Sequence, residues 1–196
     1  MVAGVPRRSN GLREFMAHIH GQGGLRVLDL GPASQASVQF ITGMGHRVYN
    51  EDLYPELIAE RYWVKAEKGT RRWDANLFLG ENLNYLPAIF DAILCWDVLD
   101  MVPDPAAAPA LVARLGDIAK AGAALLLFFH TAEPGAPIAV MRSQIKDYET
   151  LEMYQRGQFA LQRPLNNRNI EALFKQFRAL KFFLSRDATR EVVAVR

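Results

Sequence analysis

The sequence predicts an α/β fold, a mostly parallel sheet with helices on both faces, on three observations. Residues 25–30, 90–96 and 123–129 are short and nearly continuous apolar runs, as strands covered on both faces require, and segments of helical spacing separate them. The first run stops at Gly31, passes through the small residues Ala33, Ser34 and Ala36, and gives way to helical spacing at Val38, Ile41 and Met44. The chain closes on two further strand-like runs, 178–184 and 191–195, joined by the polar loop 185–188.

Residues 1–8 show neither period and read as a loose terminus. Leu12, Phe15, Met16 and Ile19 then share a helical face, with Ser9 or Asn10 to cap it and Gly21 to stop it. After the first strand and helix, Gly43 and Gly45 break the pattern, and residues 46–51 form a second strand. Pro55 opens a helix over 56–68, where Leu57, Ile58, Arg61, Tyr62 and Lys65 share a face and which Gly69 ends. Trp73-Asp74-Ala75-Asn76 reads as a short third strand and its exit loop, and residues 90–96 as a central fourth strand. Pro103-Asp104-Pro105 marks a loop before the stripe Leu111, Val112, Leu115, Ile118, Ala119, a helix that stops at Gly122. Residues 123–129 make a fifth strand ending at His130 and Thr131. The stretch 132–165 exceeds an ordinary connection; Ile138, Met141, Ile145 and Tyr148 fall on one helical face, a second short segment runs through Tyr154, and the stretch contributes Arg142, Lys146, Arg156 and Arg163. A capped helix over 166–177 carries Ile170, Leu173, Phe174 and Phe177 on one side.

A chain of 196 residues, half of them hydrophobic, is expected to form one domain. The net charge is only +2, from 23 basic and 21 acidic residues, so the balance calls for neither nucleic acid nor an anionic membrane. The single cysteine, Cys95, excludes an intramolecular disulfide and a thiolate metal cluster, and the four histidines show no ligand spacing, so no metal is expected. His18 and His20, near a helix end, suit solvated or cap-like roles better than a functional one. No apolar run reaches the length of a membrane span and no hydrophobic signal core follows the N-terminal arginines, which implies a cytoplasmic protein. The basic group Arg61, Lys65, Lys68, Arg71 and Arg72, interleaved with Glu56, Glu60 and Glu67, reads as a solvated face before an anion site. Oligomeric state is not legible.

The unit around Gly31 places free backbone N–H groups at a helix start facing the carboxyl edge of the sheet, where open α/β folds bind ligands. An acid to receive ribose hydroxyls is expected about 20 residues on, and Arg47-Val48-Tyr49-Asn50-Glu51-Asp52 supplies it. In Val27-Leu28-Asp29-Leu30-Gly31, in Asp52 followed by Leu53, and in Phe90-Asp91-Ala92-Ile93-Leu94-Cys95-Trp96-Asp97-Val98-Leu99, the chain resembles the class I S-adenosylmethionine-dependent methyltransferases, with order and spacing agreeing over most of its length. The resemblance implies a Rossmann-like sheet of seven strands with an antiparallel C-terminal hairpin strand. It also implies S-adenosyl-L-methionine as cofactor, with Asp29, Gly31, Pro32, Asp52, Leu53, Asp74, Ala75 and Trp96 around it. Asp74 matches an acid that accepts from the adenine amino group, against an ordinary turn aspartate; Trp96 would pack on adenine or face the sulfonium, against a core role. Asp97 and Asp100 would touch substrate or cap the next helix.

The chain departs from the family where further glycines are usual: those places hold Ala33 and Gln35. A nicotinamide-dependent oxidoreductase fits worse, because its second and third glycines fall on Ala33 and Ala36 and Pro32 has no N–H for a pyrophosphate. On the acceptor side, His130 is the best-placed proton acceptor and Tyr148 a second substrate contact, with 132–165 as a substrate-side insertion after the N-terminal helical segment 1–24. The Asn/Asp-Pro-Pro-aromatic sequence of nucleobase amino-methylating enzymes is absent. The expected activity is methyl transfer to a small molecule; the alternative is an inactive methyltransferase-fold binding or regulatory protein.

Overall fold

The computed structural model describes residues 4–66, 69–185 and 187–196; Glu67, Lys68 and Arg186 of the stretches discussed above lie outside them. In chain order the elements are β1 (Val5–Arg8), α1 (Asn10–Ile19), β2 (Arg26–Asp29), α2 (Gln35–Gly43), β3 (Arg47–Asn50), α3 (Tyr54–Leu57), β4 (Trp63–Lys65), β5 (Arg71–Trp73), α4 (Ala75–Asn82), β6 (Phe90–Trp96) and α5 (Val98–Met101). There follow α6 (Ala108–Ile118), β7 (Ala119–His130), β8 (Pro137–Ile145), β9 (Thr150–Ala160), α7 (Asn167–Leu173), β10 (Ala179–Leu184) and β11 (Thr189–Val195). The main sheet has six strands in the order β10-β11-β7-β6-β2-β3, all parallel except β11, which is antiparallel to both neighbours. The α/β class, the mostly parallel sheet and the inserted antiparallel strand are as the sequence implies.

Alternation along β6 divides the core. Ala92, Leu94 and Trp96 face one side with Leu12, Phe15 and Met16 of α1 and Ile41 of α2, whereas Ile93 and Cys95 face the other with Leu111 and Leu115 of α6 and Ile170 of α7. Helices therefore cover both faces, and burial pushes the Cys95 thiol up, leaving it a small apolar packing residue. Ser9 caps α1, Ser34 caps α2, and Asn166 with Asn169 forms a capping box on α7.

Four expectations are corrected. The sheet has six described strands rather than seven, because the third expected strand pairs elsewhere: β5 joins β4 in a separate antiparallel pair, with Trp63 opposite Trp73. For the same reason the described part of the expected helix, 56–66, is not one helix. There α3 ends at Leu57, a 3-10 turn follows at Glu60–Tyr62 and then β4, because Tyr62 and Trp73 pack edge-on and tilted against Phe78, with ring centroids 5.2 and 4.8 Å away, and that cluster outweighs the helical spacing. Residues 1–8 are not wholly loose: β1 pairs with β9 from Val5↔Met153 to Arg8↔Thr150. Residues 138–154 are a strand pair, and together β1, β9 and β8 make a three-stranded sheet. A register shift lies between Val140 and Met141. Ile138 and Val140 are buried before it and Ser143 and Ile145 after it, so the change of face mid-strand left apolar residues at 138, 141 and 145 with the look of a helix.

The N-terminal strand is tied to the main sheet by Glu191 of β11, 1% exposed. Its carboxylate accepts from the Arg7 guanidinium at 2.7 Å, the Ser9 hydroxyl at 3.0 Å and the Gly11 N–H at 2.6 Å, while Arg7 also pairs with Asp187 at 2.8 Å. A Cβ at Gly11 would meet Glu191 Cβ at 2.8 Å, so α1 crosses β11 at a distance only glycine permits. Glu191→Ala leaves Arg7 short of its buried partner and is expected to cost about 3–5 kcal/mol, read as a lower urea midpoint with unchanged slope.

Candidate active site

The parallel strands end together: β2 at Asp29, β3 at Asn50, β6 at Trp96 and β7 at His130. The chain goes from β2 outward to β3 and returns to place β6 on the other side of β2, so the crevice of a topological switch point opens between Asp29 and Trp96. The Trp96 indole N–H donates across it to Asp29 Oδ1 at 2.7 Å, and the Gly31 N–H donates to the same oxygen at 3.0 Å. Trp96 sits in the left-handed region, φ 53°, which that bond and an edge-on contact to Phe128 at 5.5 Å hold in place. A Cβ at Gly31 would lie 2.8 Å from Trp96 Cδ1, so the missing side chain makes room for the indole. Pro32 follows, buried and without an N–H.

Asp52 lies just past β3. Its Oδ1 accepts from the Tyr54 N–H at 3.2 Å and its Oδ2 faces the Arg156 guanidinium of β9 at 3.2 Å, the two side chains being 29% and 44% exposed. Leu53 is buried, its N–H donating to the Leu30 carbonyl at 3.2 Å. Asp74 caps α4, accepting from the Leu77 N–H at 3.1 Å, and Ala75 is the first residue of that helix; both sit off the main sheet, so the strand that would have carried them to an adenine site is missing.

On the other side of Trp96 lies a cavity of about 1090 Å³. Its floor is Trp96, Asp97, Phe128 and His130; the β1–β9–β8 sheet roofs it with residues that include Arg7, Ile138, Met141 and Met153. The Tyr54 hydroxyl donates to Asp97, linking the β3 end to this cavity. His130 packs edge-on to Phe159 at 6.1 Å. Tyr148 does not join it: the residue lies in the β8–β9 turn, edge-on to His20 and Phe40 at 5.3 Å, and is corrected to a surface packing role. Asp147 shapes that turn by accepting from the Glu149 and Thr150 N–H groups at 2.9 and 2.7 Å. Sequence reading missed the Tyr54–Asp97 link and Arg156 over Asp52. The first depends on α3 starting where it does, the second on the register of β9; the alternation of Leu151 and Met153 was the available signal for the strand.

Burial raises both acids of the crevice. Asp29 is pushed up to about 7, with Trp96 and Gly31 pulling back and Asp52 adding to the rise; Asp97 is pushed up to about 6, with the Tyr54 hydroxyl opposing. Asp29 and Asp52, which repel each other at this crevice, suit a cationic ligand.

The matching family is described as Methyltransferase domain and spans residues 4–179. The chain belongs to this family, the class I methyltransferase fold. Over 84 residues it is 37% identical to the ubiquinone biosynthesis O-methyltransferase of Xylella fastidiosa strain M23, covering 43% of this chain. The match spans 34% of that relative's length, about a third of the curated protein. Among solved structures it is similar to S-adenosylmethionine-dependent methyltransferases of Archaeoglobus fulgidus (TM-score 0.56, 12% identity, 94% of this chain and 91% of that one) and Methanosarcina mazei (0.53, 17%, 92% and 96%). A 1,6-didemethyltoxoflavin N1-methyltransferase of Burkholderia thailandensis, solved with S-adenosylhomocysteine, follows at TM-score 0.51 and 16% identity, covering 95% of this chain and 76% of that one. At such identities these structures establish the fold.

The raised acids give a pH signature. From the ordinary aspartate value of 3.8 to about 7 the folded protein holds at Asp29 a proton that the unfolded chain has released, so this contribution to stability is complete below about pH 4 and is lost as pH rises through 7; Asp97 acts in the same sense up to about 6. Asp29→Asn keeps an acceptor for Trp96 and Gly31 and removes the charge. Urea denaturation across this range is expected to show the variant more stable by about 2–4 kcal/mol at pH 8, with the difference gone at pH 4.

Proposed function

We propose that residues 1–196 act as one S-adenosylmethionine-dependent methyltransferase unit whose acceptor is a small molecule bearing an ionisable hydroxyl. The observation that carries this reading is the cavity beside the switch-point crevice, with Asp97 and His130 on a floor otherwise aromatic and apolar. The family supports methyl transfer, and the names of the Xylella and Burkholderia relatives, a ubiquinone-biosynthesis and a didemethyltoxoflavin methyltransferase, support a small-molecule acceptor.

The residues present fit the cofactor. Asp52 is a partly exposed carboxylate whose Oδ2 is held by an exposed guanidinium, an ion pair worth little and readily exchanged for ribose hydroxyls. Leu53, Gly31 and Pro32 give the apolar and main-chain wall, and the Asp29–Asp52 pair suits a cationic ligand. Trp96 separates the two halves of the site and offers its ring face to a cation. Asp74 and Ala75 are not part of this reading, because capping α4 employs the carboxylate. Bound, the cofactor supplies an electrophilic methyl group on a positive sulfur. The chain's work is then placement and proton removal: Phe128 and Met141 hold the acceptor ring, and His130 takes the hydroxyl proton as the oxygen becomes nucleophilic.

A specific observation favours a second reading, a binding module without turnover. The Gly31 space is filled by Trp96, and Arg156 covers Asp52. Calorimetry with S-adenosylhomocysteine separates the two, since the inactive module gives no heat. In the favoured case Asp52→Ala weakens binding by about 1–3 kcal/mol, whereas Arg156→Ala, which frees the carboxylate, does not weaken it. With a panel of catechols and phenols as acceptors, His130→Ala is expected to lower kcat by about 10²–10⁴-fold while S-adenosylhomocysteine affinity stays unchanged; equal loss of both removes His130 from the chemistry.

A further inference from the structure

Asp100 enters neither the cofactor side nor the cavity floor described above, yet it is among the most enclosed acids of the molecule. Its side chain is 0% exposed, on a four-residue helix anchored by the bond from its own N–H to the Asp97 carbonyl at 3.0 Å. One oxygen, Oδ2, accepts both the main-chain N–H of His130 at 2.6 Å and the ring nitrogen Nδ1 of the same residue at 2.9 Å. Buried Oδ1 has no hydrogen-bond partner among the described residues, and both hydrogen bonds of this carboxyl go to the last residue of β7.

We propose that Asp100 is a positioning residue for His130: it holds the imidazole as the Nδ1–H tautomer and leaves Nε2 as the proton acceptor of the cavity. The bonds favour this. Oδ2 accepts the main-chain N–H at 2.6 Å, a contact that stabilises the carboxylate, and an ionised carboxylate only accepts, so the ring nitrogen at 2.9 Å is then the donor; a neutral imidazole that donates at Nδ1 has its lone pair at Nε2. When Nε2 takes a proton from an acceptor hydroxyl, the O–H bond breaks, an N–H bond forms and the imidazolium charge faces the Asp100 carboxylate, an arrangement like that of triad acids. Burial raises the Asp100 pKa, while the two His130 bonds and the charge of Arg190 on β11 hold it down. Asp97 at the end of β6 is the second acid acting on this imidazole, and Arg7 and Asp187 line the same cavity. Phe159 of β9 contributes an edge-on ring and no charge.

The catalytic consequence rests on the methyltransferase reading, but the tautomer does not, and the test reads the tautomer. In protein labelled with ¹⁵N-histidine, at mildly alkaline pH and without ligand, long-range proton–nitrogen correlation spectra distinguish Nδ1–H from Nε2–H rings, and His130→Gln identifies the His130 signal by its loss. The expected result is a protonated Nδ1 and an unprotonated Nε2 at His130, with a shift in Asp100→Ala to the Nε2–H-dominated pattern of an unconstrained imidazole. An Nε2–H or averaged ring in the unsubstituted protein overturns the proposal, as does a His130 signal that Asp100→Ala leaves unchanged. Should Asp100→Ala fail to fold, the unsubstituted spectrum alone decides. An Nδ1–H ring in a protein that gives no heat with S-adenosylhomocysteine upholds the Asp100 assignment and overturns only methyl transfer.

Discussion

The hydrogen bond from the Trp96 indole to Asp29 spans the one place where the sheet topology leaves a gap, between the carboxyl ends of β2 and β6. Much of the surrounding structure depends on it. The bond keeps Trp96 in a backbone conformation that a bulky residue otherwise avoids, lays the indole against Gly31, and turns the β6 end so that Asp97 faces the cavity. It also keeps Asp29 satisfied in a setting where burial disfavours its charge. The glycine at 31 is required by this contact and not by its own dihedral angle, since it is absent from the left-handed residues.

Around that joint the chain builds two compartments with different chemistry. The β2–β3 side carries carboxylates at a partly exposed rim; the β6–β7 side carries an imidazole and a buried acid beside Trp96 and Phe128, in a cavity whose wall also includes Arg7, Arg8, Arg13 and Asp187. The three-stranded sheet β1–β9–β8 touches both. Arg156 reaches Asp52 at one end, the Ile145 N–H donates to the Ser37 hydroxyl of α2 at 2.9 Å, and Arg7 stacks over Phe128, 4.8 Å from its centroid, at the other. A single added sheet thus couples the Asp52 rim to the roof of the cavity beside Trp96.

Part of this was legible residue by residue. The strands at 26–29 and 90–96 and the buried part of β7 from 123 onward were visible because burial on both faces leaves continuous apolar runs, whereas its half-exposed start at 119–122 was taken for the end of a helix; Asp29, Asp52, Trp96 and His130 were placed at strand ends because strand ends follow from strands. The hairpin at 137–160 was misread, since a register shift beside Val140 imposes a helical period on a strand, and with it Tyr148 was drawn toward a cavity from which the real turn carries it away. Asp74 lies off the main sheet for a related reason: the strand before it was recognised, but pairing with β4 instead of β3 is a choice between partners, and local sequence does not encode partners.

The sequence by itself determined the α/β class, the antiparallel closing strand and the family, because apolar periodicity and the short segments at strand ends are local properties of the chain. Tertiary structure alone decided what meets what: Trp96 with Asp29 across 67 positions, Arg156 with Asp52 across 104, and Asp100 with His130 across 30. Those meetings depend on strand order, register and the path of a covering sheet. Such quantities are settled by the summed packing of the whole molecule, and no window of residues contains them.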